Sequence, residues 1–348
     1  MFKISFCITC MNRLMHLKKT LPINIKNAFN DSENIEFILL DYNSTDGLSD
    51  WVKSTMIPEI ENQKLKFFQT FEPESYHFSH SRNMAFTLAT GDILVNIDAD
   101  NFIGKGFAKL ILDNMAEGFY MAVEEKQFGE NNFKDALGRI CVWKKDFLEI
   151  RGYDESMVGY GFDDADLKFR LKKNYLKLIP FSNPKFLKSI KHDNRNRVEN
   201  ESAYKNIVSI AVRHLNPFSS EVFFFFENKL YEKATITDNL FGGGFSEKIE
   251  VLSGLNQLII EELSKGQWTQ DGIYFRMDNH TQLSTNDTTL HWFYQADKEV
   301  LTELVYTFST LKNKNKYINN SVNQRSLVNS EGFGKGEVVK NFKEKFIL

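Results

Sequence analysis

The chain has 348 residues, with 42% hydrophobic and 26% charged residues and a net charge of −3. That length exceeds what one hydrophobic core usually serves, so it predicts a large domain with an appended unit, and the charge gives no global reason to expect nucleic acid or an acidic tail. Three cysteines, Cys7, Cys10 and Cys141, are odd in number and too sparse for a disulfide framework, which fits a reducing, cytoplasmic compartment.

The N-terminus, MFKISFCITC, reaches polar Asn12 and Arg13 before a sustained apolar region can build, so it does not read as a signal peptide. No run approaches the ~18 apolar residues of a membrane span. A soluble protein is expected, with peripheral attachment to the inner face of a membrane left open. Short apolar runs then alternate with amphipathic stretches: ISFCIT, a helical pattern from Leu14 to Ala28, IEFILLD, a segment around Trp51 to Ile60, LKFFQTF, a helix from His80 to Leu88, and DILVNID. This alternation predicts βαβ units, an α/β fold with a mainly parallel sheet flanked by helices. Ligands of such sheets bind beyond the carboxyl ends of the strands, where Asn12, Arg13, Asp41, Asp98 and Asp100 stand. Cys7 and Cys10 form a C-x-x-C, but no second pair completes a zinc site, and their apolar surroundings predict two small buried residues.

From Lys105 the pattern predicts a helix to Met115, strands at FYMAV and GRICVW, and a helix from Asp163 to Asn174. The character changes near Leu215, which divides the chain into a first domain, 1–215, and a C-terminal extension, 216–348, of mixed α+β or helical structure. The extension holds VFFFF, a Gly cluster at Gly242 to Gly244, and helical patterns from Ile249 to Leu263 and from Asp297 to Leu311. No Gly-Lys-Ser/Thr follows the Gly cluster, so it reads as a turn and not a phosphate loop. The stripe of Ile249, Leu252, Leu255, Ile259 and Leu263 is what a packed helix looks like, in preference to a membrane anchor.

Asp98-Ala99-Asp100 ends the run DILVNI. Residues two apart on an extended chain share a side, so both carboxylates can face one ligand, and hard oxygen donors suit Mg²⁺ or Mn²⁺. Further along, Gly159 and Gly161 permit an irregular turn, Tyr160 can stack on a sugar's apolar face, and Asp163 and Asp164 open a helix. One of those carboxylates is placed to act as a base; the plainer reading is an N-cap and a first-turn acid. Residues 168–197 hold ten Lys or Arg against one Asp, which could attract a diphosphate, an anionic acceptor or lipid phosphates, or could be a solvated face. No RNA-binding or helix-turn-helix signature accompanies this charge, so no nucleic acid partner is expected.

The segment SHSRNMAFTLATGDILVNIDADN resembles the signature of the family 2 glycosyltransferases of the GT-A fold, as do ITCMNRLMHLKKTL and LLDYNSTDG. That resemblance implies a nucleotide-sugar donor held by Thr9, Arg13, Asp41, Arg82, Asp98 and Ala99, with a metal on Asp100. GYGFDDADLKFRL, with its lead-in KKDFLEIRGYDE, resembles the acceptor-binding signature of the β-1,4-galactosyltransferase family and of bacterial chondroitin-type polymerases, Trp-Gly-Trp-Gly-Gly-Glu-Asp-Asp-Asp. Tyr160 stands where Trp is usual, Phe162 replaces a Gly, Asp163 a Glu and Ala165 an Asp, whereas Asp164 keeps its Asp. The implied roles are catalytic base for Asp164 and acceptor binding for Asp163, Tyr160 and Gly161. His192, in SIKHDNRNR, resembles that family's metal-binding histidine segment; a nitrogen donor beside Asp100 favours Mn²⁺ over Mg²⁺.

The reading is an inverting, metal-dependent transferase that takes a sugar, galactose or N-acetylgalactosamine favoured, from a UDP-sugar to a hydroxyl of a saccharide or lipid-linked saccharide. Two rivals share the sheet: a sugar-phosphate nucleotidyltransferase, for which CMNRLMHLKK lacks the usual Gly-rich loop, and a non-catalytic sugar-binding protein.

Overall fold

Strands β1 (Ile4–Cys10), β2 (Ile35–Tyr42), β3 (Leu65–Thr70) and β4 (Ile93–Asn96) run parallel in the order β3-β2-β1-β4. Their apolar runs are unbroken because both faces are covered. Along β1, Ile4, Phe6, Ile8 and Cys10 enter one core layer and Cys7 the other; along β2, Phe37 and Leu39 oppose Ile38 and Leu40. This period of two divides each strand between two helical layers. The computed structural model of the protein describes residues 2–124, 134–181, 183–216, 219–237, 259–278 and 280–348.

Helix α1 (Leu14–Asp31) covers the first layer through Leu14, Leu17, Leu21, Ile25 and Ala28, a spacing of three and four that puts them on one face. The segments α2 (Leu48–Trp51) and α3 (Ile57–Glu61), joined by one π-helical turn, add Leu48, Val52 and Met56 to that layer. Helix α4 (Phe78–Leu88) packs Met84, Ala85, Phe86 and Leu88 into the second layer. After the two-residue strand β5 (Asn101–Phe102), helix α5 (Phe107–Asn114) returns to the first layer with Phe107, Ala108 and Ile111.

Strands β6 (Phe119–Ala122) and β7 (Ile140–Trp143) fall on FYMAV and GRICVW, with β7 antiparallel to both β4 and β6. Helices α6 (Lys144–Glu149) and α7 (Asp163–Lys173) follow, and β8 (Lys177–Pro180) pairs parallel with β6. The sheet is thus parallel from β3 to β4, with β7 antiparallel to both its neighbours and a parallel β6–β8 pair at the edge. Strand β9 (Lys188–Ser189) pairs with β5, and the Ile190 N–H donates to the Asp100 carbonyl at 2.9 Å, anchoring the segment that carries His192.

The division expected at 215 falls inside a strand. Two compact units divide the chain elsewhere: the first comprises Met1–Val158, Asp163–His192 and Asn319–Leu348, the second Gly159–Phe162 and Asp193–Ile318. The last thirty residues therefore belong to the first unit. Their strands β17 (Glu337–Lys340) and β18 (Glu344–Ile347) extend its sheet beyond β3, giving nine strands.

The second unit begins with short helices α8 (Asn194–Val198) and α9 (Ser202–Asn206). A seven-stranded antiparallel sheet follows: β10 (Ile207–Asn216), β11 (Ser219–Phe226), β12 (Leu230–Thr237), β13 (Ile259–Asp271), β14 (Tyr274–Met277), β15 (Gln282–Ser284) and β16 (Leu290–Tyr294). The Phe run is continuous because β11 is buried on both faces. Val222 and Phe224 pack toward α10 (Lys298–Val322), with the Phe224 and Phe308 rings 3.9 Å apart, while Phe223 and Phe225 meet Trp268 and Phe275. The helix expected over 249–263 is a strand from Ile259 onward; Gly242–Gly244 and 249–258 lie outside the described residues. Among the described residues no helix is long and apolar enough to cross a membrane.

Candidate active site

The strand ends of the first unit are tied to one another by short polar side chains. Asn12 and Asn43, directly after β1 and β2, adopt left-handed backbone at φ 57° and 58°, a conformation Asn tolerates better than most residues. The Asn12 N–H donates to Ser44 Oγ at 2.9 Å, and the first helical N–H of α1, at Leu14, donates to Asp46 Oδ2 at 2.8 Å. Asp41, buried, accepts from the Ser44 N–H at 2.8 Å and from Gln69 Nε2 at 3.3 Å, and burial raises its pKa. Arg13 donates through Nη1 to the Asn12 carbonyl at 3.2 Å, and the Thr9 and Tyr76 hydroxyls are 2.7 Å apart. The Ala99 carbonyl accepts from the Thr20 hydroxyl at 2.7 Å, fixing the backbone between the two aspartates.

Arg82 is the hub. It is 6% exposed and so works away from solvent. Its Nη2 lies 3.2 Å from Asp98 Oδ1, and its Nη1 donates to Asp163 Oδ2 and, at 3.2 Å, to Asp164 Oδ1. The end of β4 and the start of α7 are thereby held by one guanidinium, whose planar fork can serve several carboxylate oxygens at once. The Tyr153 ring lies 5.4 Å from its Cζ. A Cβ built on Gly138 would come within 3.0 Å of both Asp164 Oδ2 and Asp98 Oδ2 and 3.2 Å of Arg82 Nη2, so only glycine leaves these groups their places.

Three carboxylates around one cation cannot all ionise easily. Burial pushes Asp164 up to about 6, against the opposing pull of Arg82 and with the added repulsion of Asp163. Asp98 and Asp163 are also raised by burial against Arg82. Glu36, at the opposite ends of the strands, marks the contrast. It is only 1% exposed, but hydrogen bonds from Lys3, Lys66 and Ser5 overcome the burial penalty and hold it down to about 2. A carboxyl poised near neutrality is suited to accept a proton; one held at 2 is structural.

Asp100 Oδ2 lies 2.7 Å from His192 Nε2, and its Oδ1 accepts from Asn101 Nδ2 at 2.7 Å. Two donors each ~2.1 Å from one ion and at right angles to one another stand about 3 Å apart, so the pair fits adjacent positions around a divalent cation after a small opening. Among the described residues no group of three or more His, Cys, Asp or Glu could hold such an ion alone. Two protein donors suit an ion whose remaining positions go to phosphate oxygens and water.

Within the second unit, Gly159, Tyr160, Gly161 and Phe162 form the irregular turn expected of G-Y-G, with φ of 84°, 98° and 63° at residues 159, 161 and 162. The Asn313 amide donates to the Gly159 carbonyl at 3.1 Å, and Glu201, buried, accepts from the Ser309 hydroxyl at 2.9 Å and from the Tyr160 N–H. A Cβ on Gly159 would sit 2.7 Å from Ser309 Oγ. The Tyr160 ring faces Tyr306 at 5.3 Å, with the Arg197 guanidinium 5.6 Å from it. Tyr160 and Gly161 are thus built into the second unit, whereas Asp163 and Asp164 belong to the first.

Burial raises the Glu201 pKa from its ordinary 4.5 to about 8. Between those values the folded chain keeps a proton that the unfolded chain has released, so stability falls as pH rises through that window. Glu201→Gln is expected to match the parent near pH 5 and to melt about 4 °C higher at pH 8. A Gln variant melting lower than the parent at pH 8 would contradict this.

Sequence reasoning missed Gly138, Asn101, Ser44 and Asp46, whose roles arise from distant partners. It also read Asp166 and Arg170 only as part of a charged helix. They form a fully buried pair at 2.6 Å that ties α7 to the carbonyls of Ile150 and Gly152. The two thiols of the C-x-x-C are buried, and burial raises both, in line with the packing role expected.

Residues 5–167 match the family described as glycosyl transferase family 2. No curated protein matches the chain. Among solved structures, a mannosyltransferase from Pyrobaculum calidifontis, in complex with GDP-Man and Mn²⁺, is 16% identical at a TM-score of 0.43, over 52% of this chain and 55% of that one. TarS residues 1–349 from S. aureus are 17% identical at 0.42, over 52% and 58%. A mutant Drosophila β1,4-galactosyltransferase 7, in complex with manganese, UDP-Gal and xylobiose, is 12% identical at 0.41, over 58% and 75%. The chain spans little more than half the length of the first two.

Proposed function

From the premise that residues 5–167 are a glycosyl transferase family 2 domain, we propose that the chain is an inverting transferase, dependent on Mn²⁺ or Mg²⁺. It moves a sugar from a UDP-sugar, galactose or N-acetylgalactosamine favoured, to a hydroxyl of a saccharide or lipid-linked saccharide. The observation that carries this reading is that Arg82 joins Asp98, at the end of β4, to Asp163 and Asp164, at the start of α7.

In this reading the donor lies over the strand ends, against Thr9, Arg13, Asp41, Asp98 and Ala99. Arg82, expected from sequence to touch the donor, has both Nη atoms engaged by carboxylates and sets their positions. Asp164 accepts the proton of the acceptor hydroxyl as that oxygen attacks, a step that neutral hydroxyls make poorly unaided. Asp163 hydrogen-bonds a neighbouring acceptor hydroxyl. Attack from the face opposite the departing diphosphate inverts the anomeric centre. A divalent cation bound at Asp100 and His192 would neutralise charge on the leaving diphosphate. Exposed Lys172, Lys177, Lys185, Lys188 and Lys191 would favour an anionic acceptor or a peripheral hold on lipid phosphates.

The test is a donor-hydrolysis screen over nucleotide sugars with Mn²⁺ and with chelator. One UDP-sugar is expected to be cleaved slowly with Mn²⁺ and not with chelator, and Asp100→Ala is expected to weaken Mn²⁺-dependent UDP binding at least about tenfold. Pyrophosphate release from UTP and a sugar phosphate would instead establish a nucleotidyltransferase. Lack of turnover with every donor would leave a sugar-binding protein.

A further inference from the structure

Arg139 is a buried cation that the chemistry above does not use. It is 1% exposed, its Cζ lies 5.4 Å from the Phe107 ring, and its Nε and Nη1 have no hydrogen-bond partner among the described residues. Burial pulls the guanidinium down to about 10, a shift that the fields of Asp98 and Asp100 oppose. So large a desolvation for so few bonds is a poor stabilising device, because an apolar side chain of similar volume would pack there at no such cost.

Among the described residues its side chain donates from Nη2 to Asn101 Oδ1 at 2.8 Å. The Asn101 amide donates in turn to Asp100 Oδ1 at 2.7 Å and to the Asp135 carbonyl at 2.9 Å. A guanidinium can only donate, so it compels the Asn101 oxygen to face it and the NH₂ to face Asp100. The Asn101 backbone is held separately, by β5–β9 pairing and by a 2.8 Å bond from Asn24 Nδ2 to its carbonyl. Arg139 therefore fixes the oxygen end of an amide whose NH₂ end is held by the Asp100 carboxylate and the Asp135 carbonyl. Reversed, that amide would set an oxygen against the Asp100 carboxylate and turn it away from His192.

We propose that Arg139 is a positioning residue for Asp100, acting through Asn101 to hold that carboxylate and His192 ready to share one divalent cation. This rests on the metal-dependent reading given above. Partners of metal ligands commonly govern affinity about 10- to 100-fold when removed.

The test titrates Mn²⁺ by electron paramagnetic resonance, with UDP and with GDP, alongside thermal melting. In Arg139→Met, Mn²⁺ binding in the presence of nucleotide is expected to weaken about 10- to 100-fold, while the melting temperature holds or rises. Arg139→Lys, which can still donate to Asn101, should bind within about threefold of the parent, a rescue that a purely packing role would not give. Parent-like Mn²⁺ binding in Arg139→Met, or loss in Arg139→Lys equal to that in Arg139→Met, overturns the proposal alone. If Arg139→Met fails to fold, Asn101→Ser decides: weakened Mn²⁺ binding upholds the proposal and unchanged binding overturns it. A parent protein that binds no Mn²⁺ with either nucleotide overturns both this inference and the functional reading.

Discussion

Asp164→Asn is expected to lower the rate of transfer about 10³-fold while leaving UDP affinity within about twofold of the parent. The amide keeps the size of the carboxyl and its contact with Arg82 Nη1, but it cannot take a proton. A base contributes only once the acceptor oxygen attacks, so kcat carries the loss and donor binding does not. The same carboxyl sets the acid limb of the pH profile. Pushed up to about 6 by burial, it is largely ionised at pH 7.5 and largely protonated at pH 5, so the rate should fall about tenfold per pH unit below that value. Rates measured from pH 4.5 to 8, with UDP binding at each end, separate these effects. A flat profile across pH 6, or a UDP affinity that collapses in the variant, would remove Asp164 from the role of base.

Arg82→Ala should cost about 3–5 kcal/mol of stability, the range for removing one partner of a buried ion pair, and lower the melting temperature by roughly 10 °C. Three carboxylates lose their shared cation, and all three, Asp98, Asp163 and Asp164, are already raised by burial in its presence. Without it they should bind protons more readily still. The deficit of the variant is therefore expected to be largest above pH 7 and to shrink on acidification toward pH 5, as protonation relieves the repulsion. Arg82→Lys keeps the charge but loses the fork and should fall between. A deficit independent of pH would mean that the loss is one of packing, not of charge. Activity should vanish in Arg82→Ala at any temperature, because the places of Asp98 and Asp164 are set together.

Much of this site was legible in local pattern. The pattern put Asp98 and Asp100 just past a strand end, although β4 stops at Asn96 and residues 98–101 turn, closed by the Asn101 N–H on the Asp98 carbonyl at 2.9 Å, where an extended chain was expected; G-Y-G ahead of an acidic helix start marked an irregular turn. What Arg82 does was hidden, since nothing in SHSRNMAF tells that its guanidinium meets two acids more than eighty residues away. Asp164 and Asp166 are equally unequal in the fold and alike in sequence: one faces the cluster, the other is sealed against Arg170.

The second unit was harder to read. Residues four apart share a face in a helix and in a strand alike, so the spacing of Ile259 and Leu263 could not separate the two, and pairing with β12 decided for a strand. The boundary near 215 followed a change in composition, but the chain leaves the first unit for 159–162, leaves it again at 193 and returns at 319. Strand β17 completes the first sheet by pairing with β3, about 270 residues earlier.

The sequence by itself determined the βαβ order, the two-faced burial of the central strands and the residue types at their ends, because each follows from the preferences of a few neighbouring residues. Only the tertiary structure decided which acid shares which cation, which amide faces Asp100 and where the last strands join. Those choices depend on pairings and desolvation between residues that chain order keeps far apart.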